Sequence, residues 1–171
     1  MTTYQDPIIT KYFDLIKSVV GDSFFKFYYQ GDPIRVPNSS LPAIIISKDE
    51  TRASNALDGG SNVDDTHLMA LTLTVITDIR NDINDDKAIA PGISTLYDIM
   101  EGRESATLKL KTKSLLHILR NNVDVDTTLG LRTDLGSITR VDYGLTVGKR
   151  EQEAWAVEAQ LEFIAHFTQL R

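Results

Sequence analysis

The sequence predicts an α+β fold: a single mainly antiparallel β-sheet packed by two or three α-helices, with a long extended hairpin loop. Three observations carry this expectation. His67–Val75 and Trp155–Phe167 alternate apolar and polar residues over lengths only a strand explains. Pro7–Val20 and the segment around Ile93–Met100 repeat apolar residues at helical spacing. The elements do not follow the regular strand–helix–strand order of a parallel sheet, so a separate helical layer over an antiparallel sheet fits better.

The first helix is well punctuated. Asp6 is a suitable N-cap, Pro7 stands at the first helical position and Gly21 follows the last turn. Ile9, Tyr12, Phe13, Ile16 and Val20 form one apolar stripe. Phe24–Tyr29 is aromatic and reads as a short strand, followed by turns at Gly31–Pro33 and Pro37–Ser40. Ala43–Ser47 has a continuous β-branched centre, the mark of a strand buried on both faces, and Pro42 sits at its start.

Lys48–Thr66 has little periodicity and reads as the long hairpin loop. On the strand that follows, Met69, Leu71, Leu73 and Val75 share one face, while Ala70, Thr72 and Thr74 make a small, polar opposite face. An acidic, asparagine-rich loop from Asp78 to Asp86 leads to a second helix that includes Ile89, tolerates Pro91 in its first turn and ends at Gly102. Thr107–Lys113 alternates, yet Ser114 onward reads as a capped helix, so a short helix is expected from about Lys113 to Asn121. Asn122–Leu135 is turn-rich, and Ile138–Val147 alternates weakly. On the last strand Glu158, Gln160, Glu162 and His166 oppose the apolar set, with Ile164 the exception.

With 171 residues, 42% hydrophobic and 25% charged, the chain fits a single domain spanning 1–171 with one core. There is no cysteine, which excludes disulfides, thiolate metal sites and cysteine nucleophiles. The opening Met-Thr-Thr-Tyr-Gln-Asp-Pro has neither a basic nor an apolar region, so no secretory signal is expected. No apolar run approaches the roughly 20 residues that span a bilayer, so no membrane partner is expected. A net charge of −6 opposes tight binding of DNA through its phosphates.

Catalytic vocabulary is sparse, and no enzyme activity is expected. His67, His117 and His166 lack metal-site spacing. Gly21-Asp-Ser23 follows a helix rather than a strand, so it is no nucleophile elbow. Gly59-Gly60 lacks the Lys-Ser/Thr of a phosphate loop. The acidic loop offers the best cation candidates, Asp82, Asp85 and Asp86, where Mg²⁺ or Ca²⁺ could bind. It fails the EF-hand pattern, with Lys87 at the sixth position and Ile93 at the twelfth, and Asn122, Asp124 and Asp126 fail likewise. Solvated carboxylates are the simpler reading, under which alanine at all three positions leaves folding intact. No cofactor is expected beyond this possible cation. Lys109, Lys111 and Lys113 read as a solvated strand face. Arg52, Asp58, Asp64 and Asp65, in and beside the hairpin loop, are the candidate interface residues.

Four segments together carry a family resemblance: the amphipathic helix Pro7–Val20; Leu41-Pro-Ala-Ile-Ile-Ile-Ser; the polar loop leading into His67–Val75; and the alternating segment Ala154–Phe167. In this order they resemble the tail terminator (tail completion) proteins of long-tailed bacteriophages, the lambda minor tail protein U family. The resemblance implies a virion protein at the head-proximal end of the tail, assembled in the host cytoplasm as a ring, usually hexameric. Such a ring caps the tail tube protein, stops polymerisation and presents a surface to head–tail connector proteins. Genomic DNA passes through the lumen without specific binding, which the acidic balance suits. Other readings are a different head–tail connector or neck protein, or, more distantly, a metal-dependent hydrolase using residues 78–86.

Overall fold

The computed structural model describes residues 4–53, 65–82, 90–144 and 155–169. Its elements in chain order are α1 (Pro7–Val20), β1 (Phe27–Gln30), β2 (Ala43–Ala53), β3 (Asp65–Asp78), α2 (Pro91–Glu101), α3 (Leu115–Asn121), β4 (Asp124–Asp126), β5 (Leu131–Asp134), β6 (Val141–Gly144) and β7 (Ala156–Gln169). The fold is α+β, as the sequence predicts. The sheet runs β1-β2-β3-β7-β5-β4, and β6 also pairs with β7, so β5 and β6 share its outer edge. All pairs are antiparallel except β1 with β2.

The caps form where the sequence puts them. The Asp6 carboxylate accepts from the Ile8 N–H at 3.0 Å, and Gly21, at φ 94°, donates its N–H to the Lys17 carbonyl at 2.8 Å. Ser114 caps α3 by accepting from the His117 N–H.

Strand lengths depart from the sequence reading. The hairpin loop does not begin at Lys48: β2 runs on to Ala53, and β3 starts at Asp65, both in register with their neighbours. The charged run Lys48-Asp-Glu-Thr-Arg52 hides this, because β2 is there an outer strand with wet side chains and no apolar alternation. Thr107–Lys113 is turn rather than strand, held by a single bridge between Arg103 and Leu110. Within Asn122–Leu135, the short strands β4 and β5 were invisible to pattern because each is too brief to alternate. The strand expected at Ile138–Val147 is Val141–Gly144 among the described residues, and Ile89 lies outside them.

All three helices lie on one face of the sheet. Ile44, Ile46, Met69, Leu71, Leu73, Val75, Leu161 and Phe163 meet Tyr12, Ile16, Leu96, Met100, Ile118 and Leu119 in one core. Each such side chain contributes about 1.5–3 kcal/mol by leaving water. Tyr12 packs edge-on against Phe163, ring centroids 4.9 Å apart, and its hydroxyl meets the Thr133 hydroxyl at 3.0 Å, tying α1 to β5. Part of the opposite face is covered by the β1–β2 connection: Val36 and Leu41 bury Ala43, Ile45, Ile76 and Ala156 in a second cluster. Ala43–Ile46 is thus buried on both faces, as its β-branched run predicts.

Candidate functional site

Beyond the shelter of Val36 and Leu41, the helix-free face carries no covering layer among the described residues. Register places three rows across it: Arg52–Leu68–His166–Arg132, Glu50–Ala70–Ile164–Asp134, and Ser47–Thr72–Glu162. Leu68, Ala70 and Ile164 are half-buried and form a shallow apolar strip, with small Ala70 between larger neighbours. Charges of both signs surround it: Arg52 and Arg132 end the Leu68 row, Glu50 and Glu162 are exposed, and Asp134 is partly so. Glu50 is paired with Arg52, which holds its carboxyl below the usual range. His166 Nε2 lies 3.7 Å from Asp134 Oδ2. Toward the covered end, Thr74 and Glu158 are buried.

Two of the outer strands, β2 beyond Ser47 and β4, are bulged. Register shifts between Lys48 and Glu50 on β2, turning Asp49 to accept from the Thr72 hydroxyl at 2.6 Å. It shifts again between Asp124 and Asp126 on β4. A bulged, charged outer strand resists edge-to-edge pairing with other chains at that edge.

The candidate interface residues divide. Arg52 sits at the end of the first row, Asp65 opens β3 opposite Gln169, and Asp58 and Asp64 lie outside the described residues.

Of the cation candidates, Asp85 and Asp86 lie outside the described residues. The Asp82 carboxylate is engaged at the N-terminus of α2, accepting from the Gly92 N–H at 2.7 Å and the Ile93 N–H at 3.1 Å. The residue at the N-cap itself is Ala90, whose side chain cannot cap, so Asp82 supplies the acceptor from ten positions upstream. The expectation that alanine at Asp82 leaves folding intact is therefore revised. Asp78 is gripped by Arg80, whose Nε lies 2.7 Å from Oδ2. Burial pushes this carboxyl up, but Arg80 outweighs it and leaves the pKa below the usual range. Asp126 pairs with Lys11 at 2.8 Å and accepts from the Thr128 and Leu129 N–H groups. Among the described residues, no three His, Asp or Glu side chains are grouped to hold a metal ion.

A second feature was not legible as such: residues 103–113, the connection between α2 and α3, form a basic lobe. Arg103, Lys109, Lys111 and Lys113 oppose only Glu104, a net of +3 on a chain of −6. At its tip Leu108 is 69% exposed and sits at φ 58°, a left-handed conformation unusual for a bulky side chain. Glu104 fixes it, accepting the Leu108 N–H through its backbone carbonyl at 2.9 Å, while Arg103 Nη1 donates to the Leu108 carbonyl at 3.0 Å. At the lobe's base an open groove of about 930 Å³ runs between α2 and β6, lined by Tyr97, Glu101, Lys111 and Tyr143 among others. The Tyr143 hydroxyl donates to Glu101 at 3.0 Å. Burial, together with that carboxylate, raises its pKa well above the usual tyrosine value. Lys111 is committed to Asp98. The sequence signal was the lysine spacing, which reads as a strand face until the turn geometry is seen.

No protein-family model matches the chain, and a search among curated proteins returns no match.

Proposed function

We propose that this chain is a structural subunit that assembles into a ring, capping a bacteriophage tail tube as the tail terminator family does. The ring stops tube polymerisation and forms the surface that joins head connector proteins. The observation that carries this reading is the helix-free face. Its charged side chains around a half-buried apolar strip spread across β2, β3, β7 and β5, an extent matched to another protein.

Capping requires a subunit that associates laterally until a ring closes and then offers nothing to propagate. Heterologous contacts close into rings when the rotation per subunit allows. The bulges of β2 and β4 support this, because they oppose open-ended pairing at those two edges. The net charge of −6 suits a ring around DNA that must slide rather than bind.

Negative-stain imaging of the purified protein, with sedimentation velocity, tests the proposal. The expected result is a closed ring with a central hole and, on mixing with tail tubes, density at one tube end only and a halt in tube growth. A protein that stays monomeric at high concentration and leaves tube growth unchanged overturns it.

A further inference from the structure

We infer that the basic lobe of one copy docks on the helix-free face of the next, with Leu108 seated on the strip formed by Leu68, Ala70 and Ile164. The inference rests on the ring reading and names its subunit contact.

Leu108 is one of the most exposed large apolar side chains of the described chain, and its own fold holds it outward in a backbone conformation that bulky residues rarely adopt. Such strain persists only where surrounding contacts impose it, and it gathers at sites of recognition. Here two hydrogen bonds to the Leu108 backbone impose it, so the tip is presented rather than loose.

The occupant follows from charge. Lys109 and Lys113 are exposed and, among the described residues, make no ion pair. A leucine beside two lysines matches an apolar strip whose charged surround holds more carboxylates than arginines, and the same chain carries that strip. Outside its covered end the face holds six carboxylates (Asp49, Glu50, Asp124, Asp134, Asp142 and Glu162) beside three arginines (Arg52, Arg132 and Arg140), opposite in sign to the lobe's exposed Lys109 and Lys113. The strip's half-buried Ala70 leaves room for a side chain between Leu68 and Ile164. Nucleic acid fits less well, since an apolar tip gains nothing from phosphates and two of the lobe's four cations are already paired with Glu101 and Asp98.

The lobe belongs to the helical layer and the strip to the opposite face of the sheet, so one copy cannot satisfy itself through this pair. The contact is heterologous, front to back, and repeats around a ring. It is also salt-sensitive, because its collars are exposed charges.

The test uses the full chain in sedimentation velocity across a salt series, with near-UV circular dichroism to confirm folding. Leu108→Gly removes the side chain and suits the left-handed backbone, so the fold is retained. Self-association is expected to weaken about tenfold or more. Lys109→Glu with Lys113→Glu weakens it further and reverses its salt dependence. Adding Glu162→Lys to that pair, on the neighbouring collar, restores most of it. If wild type forms rings and both lobe variants form them equally well, the inference is overturned while the ring reading stands. If wild type never associates, both fall. If the lysine reversal instead abolishes binding to a short DNA duplex without changing self-association, the lobe is a nucleic-acid contact and the inference is overturned.

Discussion

Replacing Asp82 with alanine separates two readings of the acidic loop, and the structure supplies the size of the effect. The carboxylate takes two N–H groups of the first turn of α2, at 2.7 and 3.1 Å, and adds negative charge at the helix's positive end. Loss of a helix cap costs about 0.5–2 kcal/mol, and a hydrogen bond to a charged group about 1.5–3 kcal/mol. Because Asp82 is only partly buried, water replaces some of this, and a net loss of about 2 kcal/mol is expected. For a chain of 171 residues that lowers Tm by roughly 4–8 °C. Asp82→Asn, which keeps an acceptor but drops the charge, costs less than half as much. The assay is thermal unfolding by circular dichroism in chelator and then with millimolar Mg²⁺ or Ca²⁺. Capping predicts that wild type ignores the cation and that the alanine variant is destabilised equally in both buffers. A wild-type Tm that rises with cation only while Asp82 is present, or an alanine variant as stable as wild type, refutes the capping argument.

Tyr12→Phe leaves the Thr133 hydroxyl, 2% exposed, without its tyrosine partner and is expected to cost about 1–2 kcal/mol by urea unfolding, most of it recovered in the double variant with Thr133→Val. Burial raises the Tyr12 pKa to about 12 from 10, so its neutral form is favoured in the folded state; the associated stability is intact below pH 10 and is lost as pH rises toward 12. That loss amounts to about 2–3 kcal/mol, and the phenylalanine variant lacks this segment of the alkaline unfolding curve. Gly92→Ala places a Cβ 2.3 Å from the Asp78 carbonyl oxygen and 2.9 Å from Ile79 Cγ2, so α2 must move off the sheet; a loss of about 3 kcal/mol is expected in the same assay, with increased dye binding as Leu96 and Met100 are exposed.

The long elements were legible because burial writes itself into period. α1 and β7 carry one clean stripe each, and the helix-facing sets Met69–Val75 and Val157–Ala165 are buried as the alternation predicts. β2 beyond Ser47 was not legible, because an outer strand with both faces wet has no reason to alternate. β4 and β5 were too short, and β5 pairs with β7, thirty or more residues further along. At the site, composition exposed the lysines at 109, 111 and 113 but not their purpose, since Leu108's left-handed turn is set by the Glu104 carbonyl rather than by any glycine or asparagine. Asp82 read as a solvated carboxylate or a candidate cation ligand because an acidic run does not reveal that a capless helix start lies ten residues downstream.

The position of β7 has a consequence for synthesis. It is last in chain order yet sits in the middle of the sheet, pairing with β3 along its whole length, from Asp65↔Gln169 to Asp78↔Ala156, and with both β5 and β6 on its other side. While the ribosome is still translating, β3 and β5 have no neighbour to hold them together, and the helices have half a floor to lie on. Residues 156–169 must emerge before the core can close, at a rate of about 5–20 residues per second. Until then the nascent chain carries the exposed apolar faces of β3 and α1 together, a window in which chaperone protection has most to offer. Folding is therefore completed only once β7 joins β3 to β5 and β6.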